Sequence, residues 1–201
     1  SRIARPDICI MTNIGQCHLE YLGSREGILR AKSEIFDYMA EDGSVCVNGD
    51  DDMLSTIREV KGKKPLTFGR DPGNDIYAAE VRSRGLLGSE AVLCMGQERI
   101  PVSIPLPGEH MVYNALAAAA AGHLLGLSAE EIRRGIGAVE ATGGRSHIIR
   151  AGDRILIDDC YNANPVSMEA AIDLLIQAEG RKVAILGAMF ELGEEEDTMH
   201  G

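Results

Sequence analysis

Apolar and polar positions along the chain follow two periods. Asp7–Met11 (DICIM) is a short continuous apolar run, the pattern of a buried strand, and Ser44–Asn48 (SVCVN) repeats it. Between them Arg25–Met39 sets Ile28, Leu29, Ile35 and Phe36 near helical spacing, so the three segments predict a βαβ unit. Asp51–Val60 predicts a further short helix and Leu66–Phe68 a further strand. Over Asp75–Ile104 alternation broken by turn residues (RSRGLLGSE, MGQERIP) predicts antiparallel hairpins. Pro107–Gly108 punctuates the chain before a long apolar helix, Met111–Leu125, and Ser128 with Glu131 three residues on forms a capping box that opens another. Ala141–Arg145 (ATGGR) reads as a linker. After it come a hairpin, Ile148–Arg150 with Arg154–Ile157, a helix from Pro165 to about Ala178, a buried strand at Lys182–Leu186, and the acidic ELGEEED. These elements predict an α/β fold, with helices over a mostly parallel sheet that carries a β-rich insertion, in two domains spanning 1–141 and 142–201.

Composition narrows the function classes. The 201 residues, 45% apolar and 25% charged, suffice for one large or two small cores. A net charge of -11 argues against nucleic acid as the main partner, because phosphate binding needs clustered cations. The five cysteines are odd in number and scattered, with no CxxC pair, so neither a disulfide framework nor a zinc site is favoured and a cytoplasmic setting is expected. The Ala-rich run Ala115–Leu125 is interrupted by Gly122 and His123 and is too short to span a bilayer, so no membrane partner is expected.

Three segments carry candidate chemistry. In Ile10–Phe36 an apolar strand empties into a polar loop with Asn13 and His18, and the next helix carries Lys32. In open α/β sheets ligands sit beyond the carboxyl ends of strands, so this arrangement suits half of a magnesium and nucleotide site. An ordinary strand–loop–helix with a surface histidine and a snorkelling lysine would look the same. In PGEHMVYNALAAAAAGHLLG, His110 and Asn114 lie four residues apart and share one face of the helix start. An asparagine amide can donate and accept along one edge, which suits adenine, although a polar first turn on a packing helix needs no ligand. In ILIDDCYNANP a strand ends in Asp158 and Asp159 before Pro165 opens a helix. Asn164 at the N-cap and Pro165 at N1 are explained by capping, whereas the paired carboxylates are not required for it.

Taken in order, TNIG, HLE, AKSEIF, PGEHMVYNALAAAAA, DDCYNANPVSM and ILGAM–ELGE resemble the Mur ligase family across essentially the whole chain. The DDCYNANP turn is similar to the branch that joins D-alanyl-D-alanine to UDP-N-acetylmuramoyl-tripeptide in peptidoglycan precursor synthesis. The resemblance implies the later part of the family's central ATPase domain and the first part of a Rossmann-like C-terminal domain. It implies ATP and Mg²⁺ as cofactors, a monomer, and the UDP-linked tripeptide and D-alanyl-D-alanine as substrates. His18 would be a magnesium ligand. Lys32 would carry a carbamate, whose anionic oxygen is the hard donor that Mg²⁺ prefers, whereas an ammonium would repel it. Asn114 would face adenine with His110 beside it, Arg145 would approach the phosphates, Asp159 would hold the ribose, and Asn13 would complete the nucleotide side. Tyr161, Asn162 and Asn164 would shape the substrate cleft. In the family mechanism ATP phosphorylates the tripeptide's terminal carboxylate, and the dipeptide amine attacks the resulting acyl phosphate through a tetrahedral intermediate.

Several positions depart from the family pattern. No GxxxxGK[ST] sequence occurs; Gly62–Lys64 reads GKK without it, so the phosphate-cradling loop is missing and the chain is expected to be an internal, by itself inactive, part of a longer enzyme. Met111 stands where Asn is usual, Cys160 where Ser is common, Ala188 replaces the acid of a GDM-like turn, and Ser146–His147 follow Arg145 where an apolar–acidic pair is more typical. Two alternatives stay open: another amide ligase of the superfamily, of the folylpolyglutamate or cyanophycin synthetase kind, and a catalytically silent binding module that keeps the fold. A Rossmann dehydrogenase is disfavoured by the lack of GxGxxG.

Overall fold

The structure, a computed structural model, describes residues 1–15, 19–190, 192, 198 and 200. Its elements in chain order are β1 (Ile8–Met11), α1 (Leu19–Leu22), α2 (Arg25–Ser33), β2 (Ser44–Asn48), β3 (Leu66–Gly69), β4 (Ile76–Ser83), β5 (Ser89–Met95), β6 (Glu98–Ile104), α3 (His110–Leu124), α4 (Ala129–Gly137), β7 (His147–Ala151), β8 (Arg154–Asp158) and α5 (Pro165–Gln177). Strands β1 to β6 form one sheet in sequence order, with three parallel pairings followed by two antiparallel ones. Strands β7 and β8 pair separately as an antiparallel hairpin, turned at Gly152 with φ +62°.

The apolar runs of β1 and β2 are continuous because both faces of the sheet are covered there. Val45 and Val47 point into a core with Cys9, Met11, Ile14, Ile28, Phe36 and Leu54, while Cys46 between them joins a second core with Phe68, Leu93, Val112 and Leu116. Helix α3 lies along the second face, in contact with β1 to β6, and its alanines Ala115, Ala117, Ala119 and Ala120 are buried there. Small side chains let the helix axis approach the strands closely. Towards β6 the sheet is covered on one side only, so Ile100, Val102 and Ile104 are buried and the residues between them exposed.

Three predicted elements differ. The helix expected over Arg25–Met39 ends at Ser33 and tightens into a 3₁₀ turn, Glu34–Phe36. The Ser33 hydroxyl donates to the Leu29 carbonyl at 2.7 Å, a competing bond that favours such a break. The helix expected over Asp51–Val60 is a single 3₁₀ turn, Leu54–Thr56. Asp51 starts it by accepting from the N–H groups of Met53 and Leu54, and the chain then reverses at Lys61–Gly62, both with positive φ, so that Val60 bridges Lys63. Lys182–Leu186 is neither strand nor buried: Val183, Ile185 and Leu186 are 66%, 96% and 57% exposed. A buried strand needs neighbours to take its N–H and C=O groups, and among the described residues no strand pairs with it.

The connection from β3 to β4, residues 70–75, is short for a parallel pair. It succeeds because the register sets Phe68 against Ile76, so the chain steps back by less than a turn of strand. Side chains close this loop. Asp75 accepts from both the N–H and the hydroxyl of Thr67, and Asp71 accepts from Gly73 N–H. Asp50, from the end of β2, accepts from Arg70 N–H, Asn74 Nδ2 and the Tyr113 hydroxyl of α3.

Candidate functional site

The carboxyl end of β1 runs into residues 12–15, whose backbone is gripped by side chains from three directions. Asn48 Nδ2 donates to the Thr12 carbonyl at 3.0 Å, Lys32 Nζ to the Asn13 carbonyl at 2.9 Å, and Arg25 Nε to the Ile14 carbonyl at 3.0 Å. The Ile14 N–H is held by Asp51 Oδ2 at 2.8 Å. Asn48 is oriented in turn, because its Oδ1 accepts from Asp50 N–H. The Arg25 guanidinium forks onto Asp52, at 2.8 and 2.5 Å, and holds that carboxyl below its usual range.

Helix α2 delivers Lys32 to this loop from a defined start. Ser24 caps it by accepting from Gly27 N–H at 3.2 Å, and Arg25 is its first residue. Gly27 is required by space: a Cβ there would collide with the Leu22 carbonyl oxygen. Asn13 and Lys32 thus meet through the Asn13 backbone carbonyl. His18 lies outside the described residues.

The other candidate residues lie at the start of α3 and on the linker and turn that flank the β7–β8 hairpin, with the His110 imidazole in electrostatic reach of Asp159. His110 opens α3, and its imidazole lies against Gly108, whose φ of +103° needs glycine and whose Cβ, if present, would strike the ring. Its pKa is lowered by packing against its surroundings, with the Asp159 carboxylate opposing. Asn114, one turn on, is exposed, and among the described residues its amide nitrogen meets only the weak acceptor Met111 Sδ, at 3.4 Å. Met111, which departs from the family pattern, is therefore the neighbour of the base-facing candidate.

Both carboxylates of the Asp158–Asp159 pair tie down the linker. Asp158 accepts from Gly144 N–H at 3.0 Å and from the Cys160 thiol at 3.1 Å, and Asp159 accepts from Ser146 N–H at 2.8 Å. The Cys160 thiol and the Gly144 N–H lower the Asp158 pKa, and the same bond raises that of Cys160. Ser146 is buried with φ +48°, a left-handed conformation held by its bond to Asp159. The Arg145 guanidinium consequently stands 4.1 Å over the Tyr161 ring. Asn162 is exposed beside it. Asn164 spends its Oδ1 on Ser167 N–H as the α5 N-cap, while the Ser167 hydroxyl accepts from Asn164 N–H.

Reading the sequence misses Arg25, Asp51 and Asp52. The available signal is the run Asp50–Asp52 at the end of a strand, the same kind of feature as Asp158–Asp159. A cleft of about 780 Å³ is lined by Asp50, Arg58, Lys64, Arg70 and Tyr113 among others, and by none of the candidate site residues named from the sequence. Among the described residues no three His, Cys, Asp or Glu side chains are grouped to hold a metal ion, and no helix is long and apolar enough to cross a membrane.

Comparison with known proteins supplies the context. The Mur ligase middle domain matches residues 1–122, and the Mur ligase glutamate ligase domain matches residues 144–201. The chain is 39% identical over 203 residues to a UDP-N-acetylmuramoyl-tripeptide–D-alanyl-D-alanine ligase of Bacillus subtilis, covering all of this chain and 43% of that protein. A crystal structure of MurF from Acinetobacter baumannii superposes with a TM-score of 0.92 at 37% identity, over 99% of this chain and 44% of that one. MurF from Thermotoga maritima in complex with ADP gives a TM-score of 0.84 at 27% identity, over 99% and 46%. The chain thus spans under half the length of the relatives it matches.

Proposed function

Because the chain belongs to the Mur ligase family, we propose that the full-length protein joins D-alanyl-D-alanine to UDP-N-acetylmuramoyl-tripeptide at the expense of ATP. The observation that carries this reading is that two candidate half-sites are separately built: Lys32 is bonded to the Asn13 carbonyl, and His110 is in electrostatic reach of Asp159, which holds the linker through Ser146 N–H. It is supported by the identity to ligases of that name and by the ADP complex of a relative.

The residues present suit the groups assigned to them. Asn114 has an amide edge to offer a base, and His110, held towards its neutral form, offers a flat partner on the same helix face. Arg145 is a fixed cation at the linker, suited to phosphate oxygens and to the charge that develops as they are transferred. Asp159, with one oxygen on Ser146 N–H, has further acceptor capacity for a ribose hydroxyl. Tyr161 and Asn162 stand exposed at the same turn, where they would meet the tripeptide or dipeptide, and Asn164 sets the direction of α5 behind them. Lys32 as a carbamate, with His18, would hold Mg²⁺, which would offset charge on the phosphates. A lysine amine beside a carbonyl oxygen at a strand's carboxyl end is the right chemistry for that, since a carbamate turns the cation into an oxygen donor. The domain boundary falls at 141–142, just before the glycines of the linker. Among the described residues Cys9, Cys46, Cys94 and Cys160 are free, which fits a protein working as a monomer in a reducing cytoplasm as far as its redox setting goes.

The test is phosphate release from ATP by the full-length protein, which should require both UDP-tripeptide and D-alanyl-D-alanine; the 201 residues alone should not support it. Lys32→Arg should abolish ligation, because arginine keeps the charge but cannot form a carbamate. Unchanged activity in that variant would refute the role of Lys32.

A further inference from the structure

The bonds around residues 12–15 converge on two successive peptides. The Asn13–Ile14 peptide is held at its N–H by Asp51 and presents the carbonyl on which Lys32 rests, and the peptide after it is held at the Ile14 C=O by Arg25. Each holder is itself anchored. Asp51 uses its other oxygen on Met53 and Leu54 N–H, at the turn that seats the buried Leu54, and Arg25 is forked onto Asp52. Arg25 also begins the helix that bears Lys32, so one guanidinium ties that helix, the loop after β1 and the loop after β2 together.

We propose that Arg25 and Asp51 are positioning residues for Lys32: Asp51 fixes the peptide plane that contains the Asn13 carbonyl receiving the lysine amine, and Arg25 fixes the plane that follows it. This rests on reading Lys32 as the carrier of an oxygen ligand for a divalent cation. Such a ligand works only if its nitrogen is presented at a set distance from the strand end. A long lysine stem has many rotamers, and a fixed acceptor near its tip selects among them. The paired grip matters because Asp51 holds the N–H in the same plane as the Asn13 carbonyl, and Arg25 holds the next plane, so that φ and ψ of Ile14 between them are fixed and the carbonyl is kept from turning away. Asp52 acts one step further out, by orienting the guanidinium.

The experiment uses the full-length protein with Mn²⁺ as the probe, its binding followed by electron paramagnetic resonance without turnover, alongside thermal unfolding. Arg25→Lys, which keeps charge but loses the fork and the Nε–H, should weaken Mn²⁺ binding about 10- to 100-fold, the range for residues that orient metal ligands. Asp52→Asn should give a smaller loss in the same direction, and Asp51→Asn, with one acceptor left, a loss like that of Arg25→Lys. The Arg25 side chain is 33% exposed and lies outside both apolar cores, so the thermal midpoint of Arg25→Lys should fall only modestly as its bonds are lost, with the folded state retained under the conditions of the Mn²⁺ measurement. Lys32→Ala is the reference. If it weakens Mn²⁺ binding while Arg25→Lys and Asp51→Asn do not, or if those variants lower only the thermal midpoint, the positioning role is refuted and the reading of Lys32 stands. If Lys32→Ala itself leaves Mn²⁺ binding unchanged, the underlying reading is refuted and the positioning role falls with it.

Discussion

Gly27→Ala sets two known effects against each other and predicts the sign of their sum. An exposed helix position gains about 1 kcal/mol when glycine becomes alanine, so propensity alone would make the variant more stable. Here the added Cβ meets the Leu22 carbonyl oxygen. That carbonyl is not free to swing aside, because it accepts from Ser24 N–H at 2.9 Å across Gly23, which sits at φ +73°. Ser24 in turn is the cap of α2, so the helix and its own cap must separate. Overpacking of this kind costs about 1–3 kcal/mol, and a disturbed cap about 1 kcal/mol more. The expected sum is a loss of about 1–3 kcal/mol after the propensity gain is subtracted. Urea unfolding of Gly27→Ala beside the natural sequence measures it. The variant should also lose activity in the full-length protein, since Lys32 lies five residues along the same helix, about 7.5 Å from the point of collision. A variant stabilised by about 1 kcal/mol would show that the turn yields freely and that the close approach does not constrain α2.

Three further outcomes follow from the residues around the linker and the start of α3. Asp159→Asn removes the charge that props up the His110 pKa, so the imidazole should titrate lower still by NMR, and an unchanged or raised value would mean the two are out of electrostatic reach. Because folding already depresses that pKa, His110 costs no stability above its ordinary pKa near 6.5 and withdraws stability as the pH falls from there towards the folded value, a slope that His110→Asn should flatten. Cys160, exposed yet bonded to Asp158, should alkylate slowly for a surface thiol, and Asp158→Asn should speed its modification as followed by mass spectrometry at that residue; equal rates would refute the bond.

What the sequence discloses depends on where the determining contacts lie. The capping box at Ser128 and the Asn164–Pro165 start of α5 are local, and both are legible and present. The parallel and antiparallel halves of the sheet were likewise legible, because burial on two faces and on one face write different patterns. The lengths of the helices after Ser24 and Asp51 were not, since Ser33 and Asp51 divert backbone groups through side-chain bonds that periodicity does not register. Lys182–Leu186 carries a strand's composition without a strand's partners. At the candidate site, His110, Asn114, Arg145 and Asp159 are nominated by motif order, while Arg25 and Asp51 bond to the backbone of another loop. Their residue types state only that they carry charge.

The division of the core into two faces has a consequence for the order of events in synthesis. Every side chain of the core beneath α2, from Cys9 to Val60, comes from the first third of this chain, and so does every holder of the Ile14 peptide. The opposite core draws on residues from Cys46 to Ile136 and cannot close until α3 and α4 exist. Since each strand of the large sheet also joins its immediate predecessor, the sheet can lengthen in the direction of translation without threading. The seat of Lys32 is thus an early product of folding, and the half-site around His110 and Asp159 is added to it as a late one.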